Sequence, residues 1–159
     1  MKLTSSLALL LLGASVFLPG CRSLPRISEV LVNVTGFRPA ASSQPGNHAI
    51  MTLTVANEGV NAIALSSSTH NVYLNGSYVG KAVSDAAIGL PALASQTCDV
   101  TLVIENPAVV RQALTGPDQP MARYRVESVL QFDEGEDKFH LKANGEGRVD
   151  VRGLEAAAR

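Results

Sequence analysis

The sequence predicts an all-β domain, either a sandwich or a barrel. From Ile27 onward, apolar and polar residues alternate in short runs separated by turn-forming residues, which is the pattern of half-buried strands. The strongest local signal is Asn75-Gly76 between two β-rich triplets, because a tight hairpin needs positive φ at both turn residues. The chain has 159 residues and no Trp. We therefore expect one domain with a core mainly of Val, Leu, Ile and Ala.

The first half of the chain contains three predicted strand regions. Val30–Phe37 and Ile50–Ala56 alternate apolar and polar residues, and the polar segment Ala40–Asn47 is expected to connect them as a loop. Asn57-Glu58-Gly59 then turns the chain towards a strand at Ala62–Ser66.

One short helix is predicted after the strand Gln96–Ile104. Asn106 is a candidate N-cap and Pro107 suits the first helical position. Ala108–Leu114 has helical composition, and Gly116-Pro117 ends it.

Two closing strands are expected, the first at Tyr124–Phe132 and the second from Lys138 towards Val151. The acidic turn Asp133–Asp137 joins them. In the first strand, alternation predicts that Tyr124, Val126, Leu130 and Phe132 face inward. The last residues, Gly153–Arg159, are expected to form a frayed tail.

The N-terminus has the layout of a secretory signal. Lys2 supplies the positive charge, and Leu7–Leu18 is an apolar run too short to span a bilayer of about 30 Å. Leu18-Pro19-Gly20-Cys21 resembles the lipobox of bacterial lipoproteins, in which cleavage precedes the cysteine and the thiol is diacylated. The resemblance implies a signal peptide at 1–20, lipid on Cys21 and a tether at 21–26. Ordinary signal cleavage nearby, with Cys21 an incidental thiol, is the alternative.

The expected location of the protein is the cell envelope. Two or three acyl chains would hold the protein on a membrane without a transmembrane helix, whereas one chain binds only marginally. Arg22 follows the cysteine in place of the aspartate that resembles an inner-membrane retention signal. The outer membrane, with the domain facing the periplasm, is therefore the expected site, and membrane lipid is the first expected partner.

Charge and cysteine content narrow the classes of function. Removing residues 1–20 removes Lys2 from the 13 basic residues, leaving 12 basic and 14 acidic residues. No basic patch or RNA-binding aromatic motif is present, so nucleic acid is not an expected partner. With Cys21 acylated, Cys98 has no partner for a disulfide. It alternates in phase with apolar residues, which favours a buried structural thiol.

Metal binding is weakly supported by the sequence. His48, His70 and His140 are scattered, and each is expected at a strand end or on the surface. The acidic run Asp133–Asp137 could hold calcium loosely, but it lacks the spacing of an EF-hand loop and is expected to be a solvated turn. No cofactor is predicted.

Four segments together resemble the type 2 late-embryogenesis-abundant (LEA) family, whose domain is also named for water stress and hypersensitive response (WHy). They are VLVNVTGF (Val30–Phe37), MTLTVANEG (Met51–Gly59), VYLNGSYVGKA (Val72–Ala82) and LPALASQTCDVTLVI (Leu90–Ile104). The family's second strand tends to end in Asn-Pro-Asn, of which only Asn57 is kept. The resemblance implies a fibronectin-III/immunoglobulin-like antiparallel β-sandwich of about seven strands in two sheets, with one short helix, spanning 27–152.

The family has no established catalytic residues to carry over. The expected function is therefore that of a non-enzymatic, membrane-anchored lipoprotein in desiccation or stress tolerance or in envelope maintenance. The alternative is a binding or adaptor module that holds an envelope protein or a cell-wall polymer. An enzyme is the third hypothesis, disfavoured because the sequence shows no acid–base or metal constellation.

Overall fold

The structure, a computed structural model, describes residues 30–41, 43–44, 46–134 and 137–159. The signal peptide, Cys21 and the tether predicted from the sequence lie outside these residues. The described part contains eight strands and one α-helix, which are β1 (Val30–Pro39), β2 (His48–Asn57), β3 (Ile63–Leu74), β4 (Ser77–Ser84), β5 (Ile88–Leu90), β6 (Ala94–Ile104), α1 (Pro107–Thr115), β7 (Met121–Glu134) and β8 (Asp137–Asp150).

The strands form an antiparallel β-sandwich whose two layers are joined by one continuous hydrogen-bonded sheet. The strand order is β1-β2-β6-β4-β3-β7-β8, and β5 pairs with β3. The joint between β4 and β6 is short, since only Gly80–Val83 pair with Thr101–Ile104. The sheet curls until its end strands meet: a Cβ placed on Gly145 of β8 would lie 1.8 Å from the carbonyl oxygen of Val32 in β1.

The core follows from the alternation in the sequence. Every second residue of β2 is buried, including Met51, Leu53 and Val55, which confirms the predicted alternation of apolar and polar residues. In β7 the predicted inward residues Tyr124, Val126 and Leu130 are buried and Phe132 packs against the core. Ser128, on the same face, is buried as well.

The Asn75-Gly76 hairpin is confirmed. Asn75 has φ 49° and Gly76 has φ 85°, so both residues take the left-handed conformation that a two-residue turn requires. The strand before the turn, β3, is longer than predicted, because the segments around Ala62–Ser66 and Val72–Leu74 are parts of one strand.

The helix begins at Pro107, as predicted, but Asn106 does not cap it. No side-chain hydrogen bond is made from Asn106 to the first turn. Its backbone N–H instead donates to the carbonyl of Val79 at 2.9 Å, which fixes the chain to β4 just before the helix. Val110 and Ala113 face the core.

The prediction of a frayed C-terminal tail is wrong. The residues form two short 3₁₀ turns, Arg152–Leu154 and Ala156–Ala158, in which Leu154, Ala157 and Ala158 are buried. The guanidinium of Arg111 on α1 donates to the carbonyl of Ala158 at 2.7 Å. The segment therefore packs against the helix and β1, where its small side chains fit.

In the described part of the chain, no helix has the length and apolar character needed to cross a membrane.

Candidate functional site

The core contains a hydrogen-bonded cluster of one histidine and two serines. His70 lies in β3, in phase with buried Val72 and Leu74, and is 1% exposed. Its Nδ1 lies 2.8 Å from Oγ of Ser128 on β7, the residue paired with it across the sheet. Its Nε2 lies 2.9 Å from Oγ of Ser68. The prediction that His70 sits at a strand end or on the surface is wrong.

This cluster holds a neutral imidazole. Burial lowers the pKa of His70 to about 4, because the low-polarity interior disfavours the charged ring. A hydroxyl can donate or accept, so the two serines satisfy either neutral tautomer. His70 and Ser128 are closed to solvent, so a substrate could not reach the imidazole. The cluster is therefore a structural polar contact within the core.

The other two histidines lie where the sequence predicts. His48 is the first residue of β2, and its Nδ1 lies 3.0 Å from Oδ1 of Asn47. His140 is exposed on β8. Across the residues that the structure describes, no three His, Cys, Asp or Glu side chains gather in a way that could hold a metal ion. The calcium candidate at Asp133–Asp137 includes residues outside the described part, so it stays a prediction.

Asn57 is the second buried polar residue of note, and it connects two loops at one end of the sandwich. Its Nδ2 donates to the carbonyl of Asn61 at 2.7 Å and lies 3.3 and 3.1 Å from the carbonyls of Leu90 and Pro91. Its Oδ1 accepts from the backbone N–H of Gly59 at 3.0 Å. The sequence predicts that Asn57 lies in a turn. In the structure its side chain is buried, with 1% of the residue's surface exposed.

Two tyrosines and an ion pair form a cluster on the outer surface. The guanidinium of Arg125 lies 3.9 Å from the ring centroid of Tyr73, and it pairs with Glu127. Tyr73 donates to Glu127 at 3.0 Å, and its ring meets that of Tyr78 edge-on at 5.6 Å. Partial burial and the nearby Glu105 raise the pKa of Tyr78 above its ordinary value. These side chains satisfy one another, which is typical of a packed surface cluster.

A second polar cluster lies on the outer surface of β1, β2 and β6. Asp99 accepts from Thr52 at 2.7 Å and from Arg38 at 2.7 Å. These hydrogen bonds hold the pKa of Asp99 below its usual value. The residues around it are mostly threonines, so this surface is polar and hydroxyl-rich.

Cys98 is half-buried and forms no disulfide in the part of the chain described. Burial, with a smaller contribution from Asp99, raises the pKa of its thiol. A raised pKa lowers the thiolate fraction, so the thiol is less reactive. This agrees with a structural role, although the burial is less complete than the sequence predicts.

The described surface also has a shallow depression beside the helix, lined by Leu114, Gln119, Pro120 and Arg152. The Arg152 guanidinium is paired with Asp150 there. None of these side chains supplies a nucleophile or a base, so the depression offers no catalytic chemistry.

No protein-family model and no curated protein matches the chain. Solved structures that are similar to it include a protein from Archaeoglobus fulgidus, with 14% identity and a TM-score of 0.43 over 74% of this chain and 96% of that chain. AT1g01470 from Arabidopsis thaliana is 14% identical, with a TM-score of 0.46 over 75% of this chain and 76% of that one. At2g46140.1, described as a LEA protein, is 14% identical, with a TM-score of 0.45 over 81% and 75%. Similarities at this level assign neither a family nor a function.

Proposed function

We propose that this protein is a non-enzymatic lipoprotein of the cell envelope, anchored by lipid on Cys21, with a LEA type 2/WHy-like domain that acts in stress tolerance or envelope maintenance. The observation that carries the proposal is the lipobox-like Leu18–Cys21 directly ahead of a single β-sandwich. A lipid anchor would keep the domain at the membrane surface throughout its working life.

The chemistry of the described residues supports a non-catalytic role. The histidine with hydroxyl neighbours, His70, is sealed in the core and neutral. The outer clusters around Tyr73 and Asp99 consist of groups that already satisfy one another.

We further propose that the anchor lies in the outer membrane and that the domain faces the periplasm, on the basis of Arg22 after the anchoring cysteine. Separating the host's membranes by density tests this. The wild-type protein is expected in the outer-membrane fraction. Recovery of the protein in the inner-membrane fraction would contradict the proposed location.

The stress role is tested by deleting the gene and restoring it in two forms. Wild-type protein is expected to restore survival after drying and osmotic shock, whereas Cys21→Ala, which carries no lipid, is expected to restore little of it. A deletion strain that survives both stresses as well as its parent would contradict the proposal.

A second candidate function, an adaptor for an envelope protein or cell-wall polymer, is favoured by the shape of the sheet. In the described residues, β6 pairs with β2 along most of its length but with β4 only at Thr101–Ile104. Within the described residues, one edge of Ala94–Val100 is therefore not hydrogen-bonded to another strand. An extended segment of a partner could pair with this edge as an additional strand.

Crosslinking of the intact lipoprotein in its native envelope separates the two candidates. An adaptor should give one reproducible, saturable partner beyond those of an unrelated lipoprotein control. A general protective role should give only a diffuse set of neighbours.

A further inference from the structure

Two apolar side chains project from adjacent loops at one end of the sandwich. Val60 is 79% exposed and Leu93 is 73% exposed, the highest values among the large apolar residues that the structure describes. The backbone N–H of Leu93 donates to the carbonyl of Gly59 at 3.1 Å, so the two loops lie side by side. Single exposed apolar residues are common on protein surfaces, but an adjacent pair at this exposure calls for a reason.

The loops that carry this pair are held in place. Asn57, buried beneath them, donates to carbonyls in both loops. Leu93 has φ 55°, a left-handed conformation that disfavours residues other than glycine and asparagine. The fold therefore keeps Leu93 in an unfavourable backbone conformation with its side chain in water, which is typical of a functional surface.

The same end of the sandwich receives the chain from the anchor. Val30, the first residue of β1, pairs directly with Asn57. Val30 follows Cys21 closely in the sequence, and a chain of that length spans at most about 30 Å when fully extended. A lipid on Cys21 would therefore keep this end of the domain within about 30 Å of the bilayer.

The charge at this end indicates which lipid surface suits it. The β7–β8 hairpin ends here, because Phe132 pairs with Leu65 near the start of β3. Glu58, Asp133 and Asp137 belong to this end, and Lys138 is paired across the ladder with Asp133. Among the described residues at this end, acidic groups outnumber basic ones, so a zwitterionic phospholipid surface fits it better than an anionic one.

We infer that Val60 and Leu93 insert into the interface of a zwitterionic phospholipid membrane and fix the orientation of the anchored domain. The inference rests on the proposed lipid at Cys21. Shallow insertion of apolar side chains, about 5–10 Å into the headgroup region, is the usual mode of interfacial contact. On a surface that also carries the anchor, weak contacts are sufficient because the effective concentration is high.

The absence of Trp from the sequence permits a direct test. Val60→Trp, Leu93→Trp and, as the matched control, Val83→Trp each give the full-length lipoprotein a single reporter. Val83 is 50% exposed on β4, opposite Thr69 near the middle of β3. Each variant is reconstituted in phosphatidylcholine vesicles with brominated acyl chains, after thermal melting has shown that it is folded.

The fluorescence of Val60→Trp and of Leu93→Trp is expected to be blue-shifted relative to that of Val83→Trp. Brominated lipid should quench the first two variants at least about twofold more than the control, as interfacial insertion requires. Replacing half of the lipid with an anionic one should reduce the difference. Equal emission and equal quenching in the three variants would overturn the inference.

Mass spectrometry of the same intact protein shows, independently of the fluorescence, whether Cys21 carries lipid. A chain without diacylglycerol on Cys21 would contradict the proposed function, whatever the fluorescence shows. The three tryptophan variants would then be measured with a maleimide lipid coupled to Cys21, using Cys98→Ser so that only one thiol reacts. Equal quenching there would likewise overturn the inference about Val60 and Leu93.

Discussion

At the residue scale, two buried polar side chains organise the sandwich. Asn57 joins two loops at the end of the sandwich where β1 begins, and His70 joins β3 to β7 through Ser128. Buried polar groups stabilise a fold only when their hydrogen bonds are made, and losing one partner leaves the others unsatisfied. In the described residues, no buried side-chain nitrogen or oxygen lacks a partner.

Asn57→Ala is expected to lower the free energy of unfolding by about 2–4 kcal/mol, because it leaves buried carbonyls and one N–H without partners. Urea denaturation measures the effect. Asn144→Ala, at an exposed position of β8, is the control and should change stability by less than about 0.5 kcal/mol. Equal free energies of unfolding in the two variants would show that Asn57 does not connect the two loops.

His70 is expected to make stability depend on pH. The folded pKa of about 4 lies below the ordinary 6.5, so the unfolded chain binds the proton more readily. The stability contributed by the neutral His70 is fully present above pH 6.5. It is lost as the pH falls towards 4, and the free energy of unfolding decreases by about 3 kcal/mol in total. Urea denaturation between pH 7 and 4 measures this.

In His70→Gln the pH dependence over that range should largely disappear, whereas exposed His140→Gln should keep it. Asp99 and Asp150 have lowered pKa values, so their contributions are lost only at more acidic pH. If the free energy of unfolding of His70→Gln depended on pH as steeply as that of the wild type, groups other than His70 would be responsible for the pH dependence.

At the scale of elements, the close approach of β8 to β1 depends on a glycine. A Cβ at position 145 would lie 1.8 Å from the carbonyl oxygen of Val32 and 3.1 Å from Cγ1 of Val126. Backbone cannot move aside without separating the two strands. The sandwich is therefore closed at this point by the absence of a side chain.

Gly145→Ala is expected to destabilise the protein by more than about 2 kcal/mol through this overlap. Gly89→Ala is the matched control, since a Cβ there meets nothing within 4 Å. Thermal melting of the two variants should show a large decrease for the first and little change for the second. Equal melting temperatures would contradict the close approach of β1 and β8.

The C-terminal turns behave as part of the core. Leu154 is 0% exposed, so Leu154→Ala is expected to cost about 2–4 kcal/mol through lost burial and the cavity it leaves. Leu93→Ala, at an exposed position, should cost far less. A frayed C-terminus would instead make both changes equally mild in chemical denaturation.

At the scale of the whole molecule, the sequence predicts strands better than their assembly. Alternation in β2 and the Asn75-Gly76 turn are local signals, so they are readable from the chain. Placement of β6 between β2 and β4 depends on pairing between distant residues. Burial of the C-terminal turns depends on space beside β1: a Cβ on Gly153 would lie 1.9 Å from the carbonyl oxygen of Phe37.

The buried site residues were harder to predict than the strands. His70 alternates in phase with Val72 and Leu74, a signal that could have placed it in the core. Its partner Ser128 gives no such signal, because serine is common on surfaces. Asparagine is common in turns, so the sequence does not predict that Asn57 is buried. Its burial depends on hydrogen bonds to carbonyls of a loop that is distant in sequence.

We propose that lipid on Cys21 holds the sandwich to a membrane. The decisive measurement is the intact mass of the protein purified from the host's membrane fraction. We predict a mature chain that begins at Cys21 and carries a diacylglyceryl group, and a Cys21→Ala variant absent from the membrane. A mature chain with a free Cys21 thiol, or a membrane-bound Cys21→Ala variant, would contradict it.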